Sequence, residues 1–119
     1  MLDHIELKTQ RMAECVAFYT AVLEPVGYRL VVDGEKKGFG HGEQLDFWLT
    51  AGEPARDVHF AFTAASRSAV DLAYERAGTH GSVRERPPAL APHIHPNYYA
   101  GFALDPEGRL VEFVSRTES

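Results

Sequence analysis

The sequence predicts an α+β fold built from two consecutive βαβββ modules. Three observations support this prediction. Strand-like runs alternate apolar and polar residues, each half of the chain carries one amphipathic helical segment after its first strand, and the chain ends in a β-hairpin. At 119 residues the chain has the length of a single domain. We place module one at about 1–52 and module two at about 57–116.

Composition and charge narrow the range of partners. The chain carries 12 basic and 17 acidic residues, for a formal charge of −5, and it has no basic cluster. Nucleic acid and anionic membranes attract basic surfaces, so neither is an expected partner. The single cysteine, Cys15, cannot form an internal disulfide, and no segment resembles a signal peptide or a membrane span. We therefore expect a cytoplasmic protein, with Cys15 as a small core residue.

Module one begins with a strand and a helix. Leu2–Lys8 alternates and predicts a strand, and Thr9 is a suitable cap for the helix that follows. The apolar residues that recur at helical spacing are Cys15, Phe18, Tyr19, Val22 and Leu23. Pro25 and Gly27 end this helix after about four turns.

Three strands complete module one, and their pattern is typical of half-buried strands. They are Tyr28–Val32, a short strand around Phe39, and Gln44–Thr50. In the last strand, alternation predicts two faces, with Leu45, Phe47 and Leu49 on one and Asp46, Trp48 and Thr50 on the other.

Module two repeats the same order of elements. Val58–Thr63 predicts a strand, and Ser66 caps a helix that ends at Gly78. Gly81–Arg84 offers a short strand, and a Pro-rich loop over 87–96 leads to the final hairpin. The two halves therefore form a weak internal repeat, visible in the order of elements more than in the letters.

The apolar residues of each strand decide which face packs on the helices. The predicted core-facing residues are Ile5, Leu7, Leu45, Phe47, Leu49, Phe60, Phe62, Val111 and Phe113. By the two-residue period of a strand, the opposite face collects His4, Glu6, Trp48, His59 and Glu112.

The hairpin allows a prediction of register around Glu112. A turn over Asp105–Gly108 pairs Leu104 with Arg109 and places Gly101 opposite Glu112. The same-face neighbours of Glu112 are then Ala103 and Tyr99. A bulge at the end of the turn would instead shift this register by one residue.

Two imidazoles and one carboxylate on a common face suggest a metal site. His4, His59 and Glu112 match the facial triad that holds a divalent ion and leaves positions open for water or substrate. The alternative is that both histidines are ordinary strand residues and that Glu112 points to solvent. The occurrence of all three at matching places in two repeats favours the metal site.

These same residues resemble a known family, the vicinal oxygen chelate superfamily, which includes glyoxalase I, bleomycin-resistance proteins, fosfomycin-resistance transferases and extradiol dioxygenases. The matching motifs are the histidines of Asp3-His4-Ile5 and Val58-His59-Phe60 and the terminal hairpin from Leu104 to Phe113. The resemblance covers essentially the whole chain. It implies an incomplete mixed β-barrel with helices on its outer face, often in a homodimer.

The resemblance also implies roles for individual residues. His4, His59 and Glu112 correspond to the ligands of a divalent metal ion, which is Zn, Ni, Mn or Fe in such sites. Glyoxalase I often adds a fourth ligand at the place that Trp48 occupies here. Because an indole cannot ligate a cation through its N–H, we expect a three-ligand site in which Trp48 forms a wall of the substrate cavity.

Four further side chains are candidates for substrate chemistry. Glu6 could act as a base, although an ion-paired surface glutamate is the alternative. Tyr99 could orient a substrate oxygen or simply pack in the cavity wall. His93 and His95 could overhang the cavity as substrate-binding residues, unless they are surface residues of the loop.

Two functions from different classes follow. The first is a metal-dependent enzyme that acts on a small molecule with adjacent oxygens, by isomerase, lyase, transferase or dioxygenase chemistry. The second is a bleomycin-resistance-type protein that binds an aromatic or cationic drug without catalysis. The intact ligand set favours the enzyme, because drug-binding members of the superfamily typically lack it.

Overall fold

The computed structural model describes residues 1–81 and 83–119 and confirms the α+β class. The strands are β1 Ile5–Thr9, β2 Arg29–Asp33, β3 Lys37–His41, β4 Gln44–Ala51, β5 His59–Thr63, β6 Arg84–Leu90, β7 Tyr99–Leu104 and β8 Leu110–Ser115. The helices are α1 Met12–Leu23 and α2 Arg67–Thr79, and a short 3₁₀ helix, Glu24–Val26, follows α1. Each half therefore has the predicted order βαβββ.

The eight strands form two four-stranded sheets with the same internal order. The first sheet is ordered β1-β4-β3-β2 and the second β5-β8-β7-β6. In each sheet the first strand of the module pairs in parallel with the last, and the other pairs are antiparallel. No strand pair joins the two sheets among the described residues, so they do not close into a barrel.

The helices cover one side of the sheets and contact each other. α1 packs on β4 and β2, whereas α2 packs on β6, β7 and β8. Neither α1 nor α2, the helices of residues 1–81 and 83–119, has the length and hydrophobicity needed to cross a membrane.

The main apolar core lies between these helices and both sheets. The strand residues predicted to face it include Phe47, Leu49, Phe62, Val111 and Phe113, and all five are buried. Their partners on α1 and α2 are Cys15, Phe18, Tyr19, Val22, Leu23, Val70, Ala73 and Ala77. The predicted core face of the strands is thus confirmed at these positions.

The two predicted helix caps have different outcomes. Ser66 caps α2 as predicted, because its hydroxyl oxygen accepts a hydrogen bond from the Ala69 N–H at 3.1 Å. The residue at the N-cap position of α1 is Arg11 rather than Thr9. The Thr9 hydroxyl oxygen instead accepts from the Arg11 N–H at 2.8 Å, so it supports the turn that leads into the helix.

The predicted register of the last hairpin is wrong by one residue. Leu104 pairs with Leu110, and Glu112 lies opposite Phe102 instead of Gly101. The cause is a longer turn, in which the Asp105 N–H donates to the Arg109 carbonyl at 2.9 Å. Gly108 supplies the extra residue with a φ of +85°, a conformation that glycine adopts without strain.

The predicted boundary of β6 is also wrong. β6 extends from Arg84 to Leu90 and includes Pro87 and Pro88, which we predicted to lie in a loop. The two consecutive prolines are tolerated because β6 is an edge strand and because its pairing with β7 shifts register between Arg86 and Ala89, so neither proline is needed as a ladder donor. Ser82, which belongs to the predicted strand 81–84, lies outside the described residues.

The turn of the last hairpin also joins the two modules through buried polar contacts. Arg109 is fully buried, and its guanidinium donates to Asp105 Oδ2 and to the Lys8 carbonyl oxygen, both at 2.7 Å. Glu107 accepts a hydrogen bond from the Thr9 hydroxyl, also at 2.7 Å. These contacts, which we call the turn clasp, hold the start of β8 against β1.

Candidate functional site

The centre of the candidate site is a histidine–glutamate pair on the face of the second sheet away from the helices. β5 and β8 are parallel neighbours, and their register places Ala61 beside Glu112. His59 Nε2 lies 2.9 Å from Glu112 Oε1. Only 5% of the Glu112 side chain is exposed, compared with 52% of the His59 side chain. A buried carboxylate therefore orients an imidazole that solvent or a ligand can reach.

Tyr98 holds the other oxygen of this carboxylate. Its hydroxyl donates to Glu112 Oε2. Burial, together with the hydrogen bond to Glu112 and the negative charge there, raises the pKa of Tyr98 to about 12. The hydroxyl is therefore protonated at neutral pH and remains a donor. Sequence reasoning missed Tyr98, because the one-residue error in register selected Tyr99 as the neighbour of Glu112.

A cavity of about 210 Å³ is partly walled by Tyr98, which contacts Glu112, and by Phe102, which contacts His59. The ring of Phe102 meets the His59 ring at a centroid distance of 5.8 Å. The Arg86 guanidinium lies 3.8 Å from the centroid of the Phe102 ring. His93 also lines this cavity.

Two other residues that were predicted to bind substrate, Tyr99 and His95, make contacts away from the His59–Glu112 pair. Tyr99 faces α2, where its hydroxyl donates to Asp71 Oδ1 at 2.5 Å. Adjacent strand residues point to opposite faces, so the structure does not bring Tyr99 to Glu112. His95 is half-buried, and its Nδ1 accepts from the Asn97 N–H at 3.0 Å, which stabilises the loop before β7.

His4, Glu6 and Trp48 come together on the first sheet. Glu6 pairs with Trp48 in the register of β1 and β4, and both line a shallow pocket with His4 and Lys36. Lys36 Nζ lies 3.2 Å from Glu6 Oε1, so this carboxylate is ion-paired in the single chain. His4 Nδ1 contacts the Asp3 carboxylate at 2.6 Å.

The fit of a metal ion can be judged from these positions. His59 Nε2 and Glu112 Oε1 are separated by 2.9 Å, close to the spacing of about 3 Å between adjacent ligand atoms around a divalent ion. However, residues 1–81 and 83–119 of one chain contain no group of three His, Cys, Asp or Glu side chains that could hold a metal. One chain therefore offers two of the three predicted ligands at one place.

Comparison with known proteins assigns the chain to a protein family. The family model of the Glyoxalase/Bleomycin resistance protein/Dioxygenase superfamily matches residues 1–113. The chain belongs to this superfamily. None of the curated proteins gives a match, so membership rests on the family model.

Three solved structures illustrate how far the similarity to other superfamily members extends. A glyoxalase/bleomycin resistance protein from Albidiferax ferrireducens T118 is 20% identical, with a TM-score of 0.83 over 95% of this chain and 97% of that one. A glyoxalase/bleomycin resistance protein/dioxygenase from Nocardioides is 26% identical, with a TM-score of 0.65 over 100% and 85% of the two chains. A glyoxalase I mutant from Zea mays is 16% identical, with a TM-score of 0.71, and the match covers 95% of this chain but 46% of that one.

Proposed function

We propose that this superfamily member is a metal-dependent enzyme for a small molecule with adjacent oxygen atoms, and that it works as a homodimer. In this proposal His59 and Glu112 of one chain and His4 of a second copy hold a divalent ion. The observation that carries the proposal is the His59–Glu112 pair, whose neighbours Tyr98 and Phe102 line a cavity, with Tyr98 fixing the buried carboxylate. Two nitrogens and one oxygen suit Zn, Ni, Mn or Fe.

The chain's own residues have defined tasks in this site. When bound, the ion supplies Lewis-acid polarisation of two neighbouring substrate oxygens, which isomerase, lyase, transferase and dioxygenase reactions of this class share. Tyr98 orients Glu112 through its hydroxyl, as outer-shell donors do for ligating carboxylates. Phe102 gives the cavity an apolar wall, and Arg86 and His93 place polar groups around it.

In this proposal, Glu6 and Trp48 of the second chain also lie at the shared site. Both line the same pocket as His4, so a chain that donates His4 brings them to the shared site. Trp48 then forms a flat wall, and Glu6 becomes the proton acceptor once substrate displaces Lys36 from its carboxylate.

A subunit-mixing experiment tests whether two chains build the site. Metal content is measured by elemental analysis of protein purified without chelator, for the wild type and for the His4→Ala and His59→Ala variants. We expect about one ion per wild-type chain and none in either variant. After the two variants exchange subunits, half of the dimers are mixed, and each mixed dimer contains one intact site. We therefore expect the mixture to bind about one ion per four chains.

The controls separate the possible outcomes. His80→Ala, which removes an exposed histidine outside the site, should keep the wild-type metal content. A mixture that stays metal-free would contradict the shared site, because a site within one chain cannot be rebuilt by exchange. A metal-free wild type would contradict the metal-dependent enzyme itself.

A second candidate function is metal-free binding of an aromatic or cationic drug between two copies of the chain. The observation in its favour is that the described part of one chain lacks a three-residue metal group. In that case, metal-free bleomycin should quench the fluorescence of Trp48, the only tryptophan, in a saturable way that chelator leaves unchanged.

A further inference from the structure

A larger cavity lies where residues of both sheets meet. It has a volume of about 390 Å³ and is lined by residues from β1, β4 and β5, with Tyr28 just before β2. Four aromatic rings form much of its wall, those of Tyr28, Phe47, Phe60 and Phe62, with neighbouring centroids 5.3 to 6.0 Å apart. No residue that lines it also lines the cavity beside Tyr98. Its size falls within the range of small-molecule pockets.

A β-bulge brings Asp46 into this cavity. Phe39 pairs with Phe47 while the next residue of β3, Gly40, pairs with Leu45, so Asp46 is the extra residue of β4. Bulges redirect a side chain and are frequent beside active sites. Strict alternation predicted Asp46 on the outward face with Trp48. Instead, its Oδ2 accepts a hydrogen bond from the Tyr28 hydroxyl at 2.8 Å.

The second carboxylate oxygen of Asp46 has a different environment from the first. Asp46 Oδ1 is buried and has no hydrogen-bond partner among the described residues. Buried polar atoms are nearly always paired, so an unpaired carboxylate oxygen at a cavity indicates a place for a donor from a ligand. Asp3 also lines this cavity, while its carboxylate contacts His4 Nδ1.

We propose that this cavity binds a small organic ammonium ion that carries at least one N–H. The N–H donates to Asp46 Oδ1, and the apolar body of the ligand packs among the four aromatic rings, whose faces attract a cation. The formal charge of −5 on the chain also attracts a cation. This binding site does not depend on a metal or on the enzyme activity proposed above.

Isothermal titration calorimetry with three matched probes tests the proposal. Phenethylammonium carries both the charge and the N–H, 2-phenylethanol lacks the charge, and phenethyltrimethylammonium lacks the N–H. We expect saturable binding of phenethylammonium to the wild type, with each of the other two weaker by about tenfold or more.

Variants identify the carboxylate that is responsible. Asp46→Asn keeps the size of the side chain and an acceptor for Tyr28 but removes the charge, so it should weaken phenethylammonium binding by about tenfold or more. Glu43→Gln makes the same change in net charge at an exposed residue two positions before Leu45 and should leave affinity unchanged. Phe60→Leu keeps the wall apolar but removes one ring, and it should weaken the charged probe more than 2-phenylethanol. This variant keeps the test decisive if Asp46→Asn fails to fold.

Two further measurements check where phenethylammonium binds and whether its binding requires the proposed metal site. Amide chemical-shift changes on adding phenethylammonium should concentrate at Tyr28 and at residues 60–63, and His59→Ala should bind the probe as the wild type does. The proposal is overturned if no saturable binding occurs, if 2-phenylethanol binds equally well, if Glu43→Gln weakens binding as much as Asp46→Asn, or if the shifts lie elsewhere.

Discussion

Replacement of Arg109 by methionine tests the turn clasp that joins the two modules. Arg109 and Asp105 form an ion pair whose side chains are both fully buried, and removal of one partner of such a pair typically costs about 3–5 kcal/mol. The methionine also leaves the Lys8 carbonyl oxygen without its guanidinium donor. Asp105, however, still accepts hydrogen bonds from the Tyr19 hydroxyl at 2.5 Å and from two N–H groups of the turn. We therefore expect Arg109→Met to lower the free energy of unfolding by about 3 kcal/mol, near the low end of the range.

Urea unfolding at one fixed protein concentration measures this loss. With a slope of about 1.5 kcal/mol per molar urea, a loss of 3 kcal/mol lowers the midpoint by about 2 M. Trp48 fluorescence and far-ultraviolet circular dichroism give two independent probes of the same transition.

A double variant isolates the uncompensated charge. Asp105→Asn/Arg109→Met removes both charges, so it should be more stable than the Arg109→Met variant. The reasoning is refuted if Arg109→Met costs less than about 1 kcal/mol, or if removing the second charge restores nothing.

Two further predictions concern groups of the same region. Burial alone would raise the pKa of Glu107, but hydrogen bonds from Thr9 and the Gln10 N–H and the nearby charges of Arg56 and Arg109 lower it overall. Because the folded-state pKa lies below the unfolded value of about 4.3, the ionised carboxylate stabilises the protein fully above the unfolded value. This stabilisation is lost as the pH falls through the folded-state pKa. Glu107→Gln should therefore flatten the acid side of the stability curve, whereas the exposed Glu43→Gln should leave its shape unchanged; equal effects of the two would contradict the assignment. Burial also raises the pKa of the Cys15 thiol, which is 0% exposed, so a thiol reagent should label it rapidly only in denaturant. Rapid labelling of the native protein would show that this part of the core opens.

The order of elements and the core face of the strands were predictable from the sequence. Alternation in the predicted strands Gln44–Thr50 and Val58–Thr63 assigned Phe47, Leu49 and Phe62 to the core, because burial of one face imposes a strict two-residue period. The same rule failed at Asp46 and at Gly108. A bulge inserts one residue without any apolar signal, and it depends on the fit between neighbouring strands.

The candidate site was predictable in part for the same reason. Strand phase placed His59 and Glu112 on one face, and the structure places them in contact. The one-residue shift of the hairpin exchanged Tyr99 for Tyr98 as the partner of Glu112. His4 lies on the other sheet of the chain, a separation that sequence spacing cannot reveal.

The sequence alone determined the duplicated βαβββ order, the apolar face of the strands and the common face of His59 and Glu112, because each follows from local periodicity. Only the tertiary structure decided the turn clasp of Arg109, the contact of Tyr98 with Glu112, and the burial of an Asp46 oxygen that has no partner within residues 1–81 and 83–119. These features depend on how distant segments pack and on where a strand gains a residue, and neither is encoded in the pattern of a single segment.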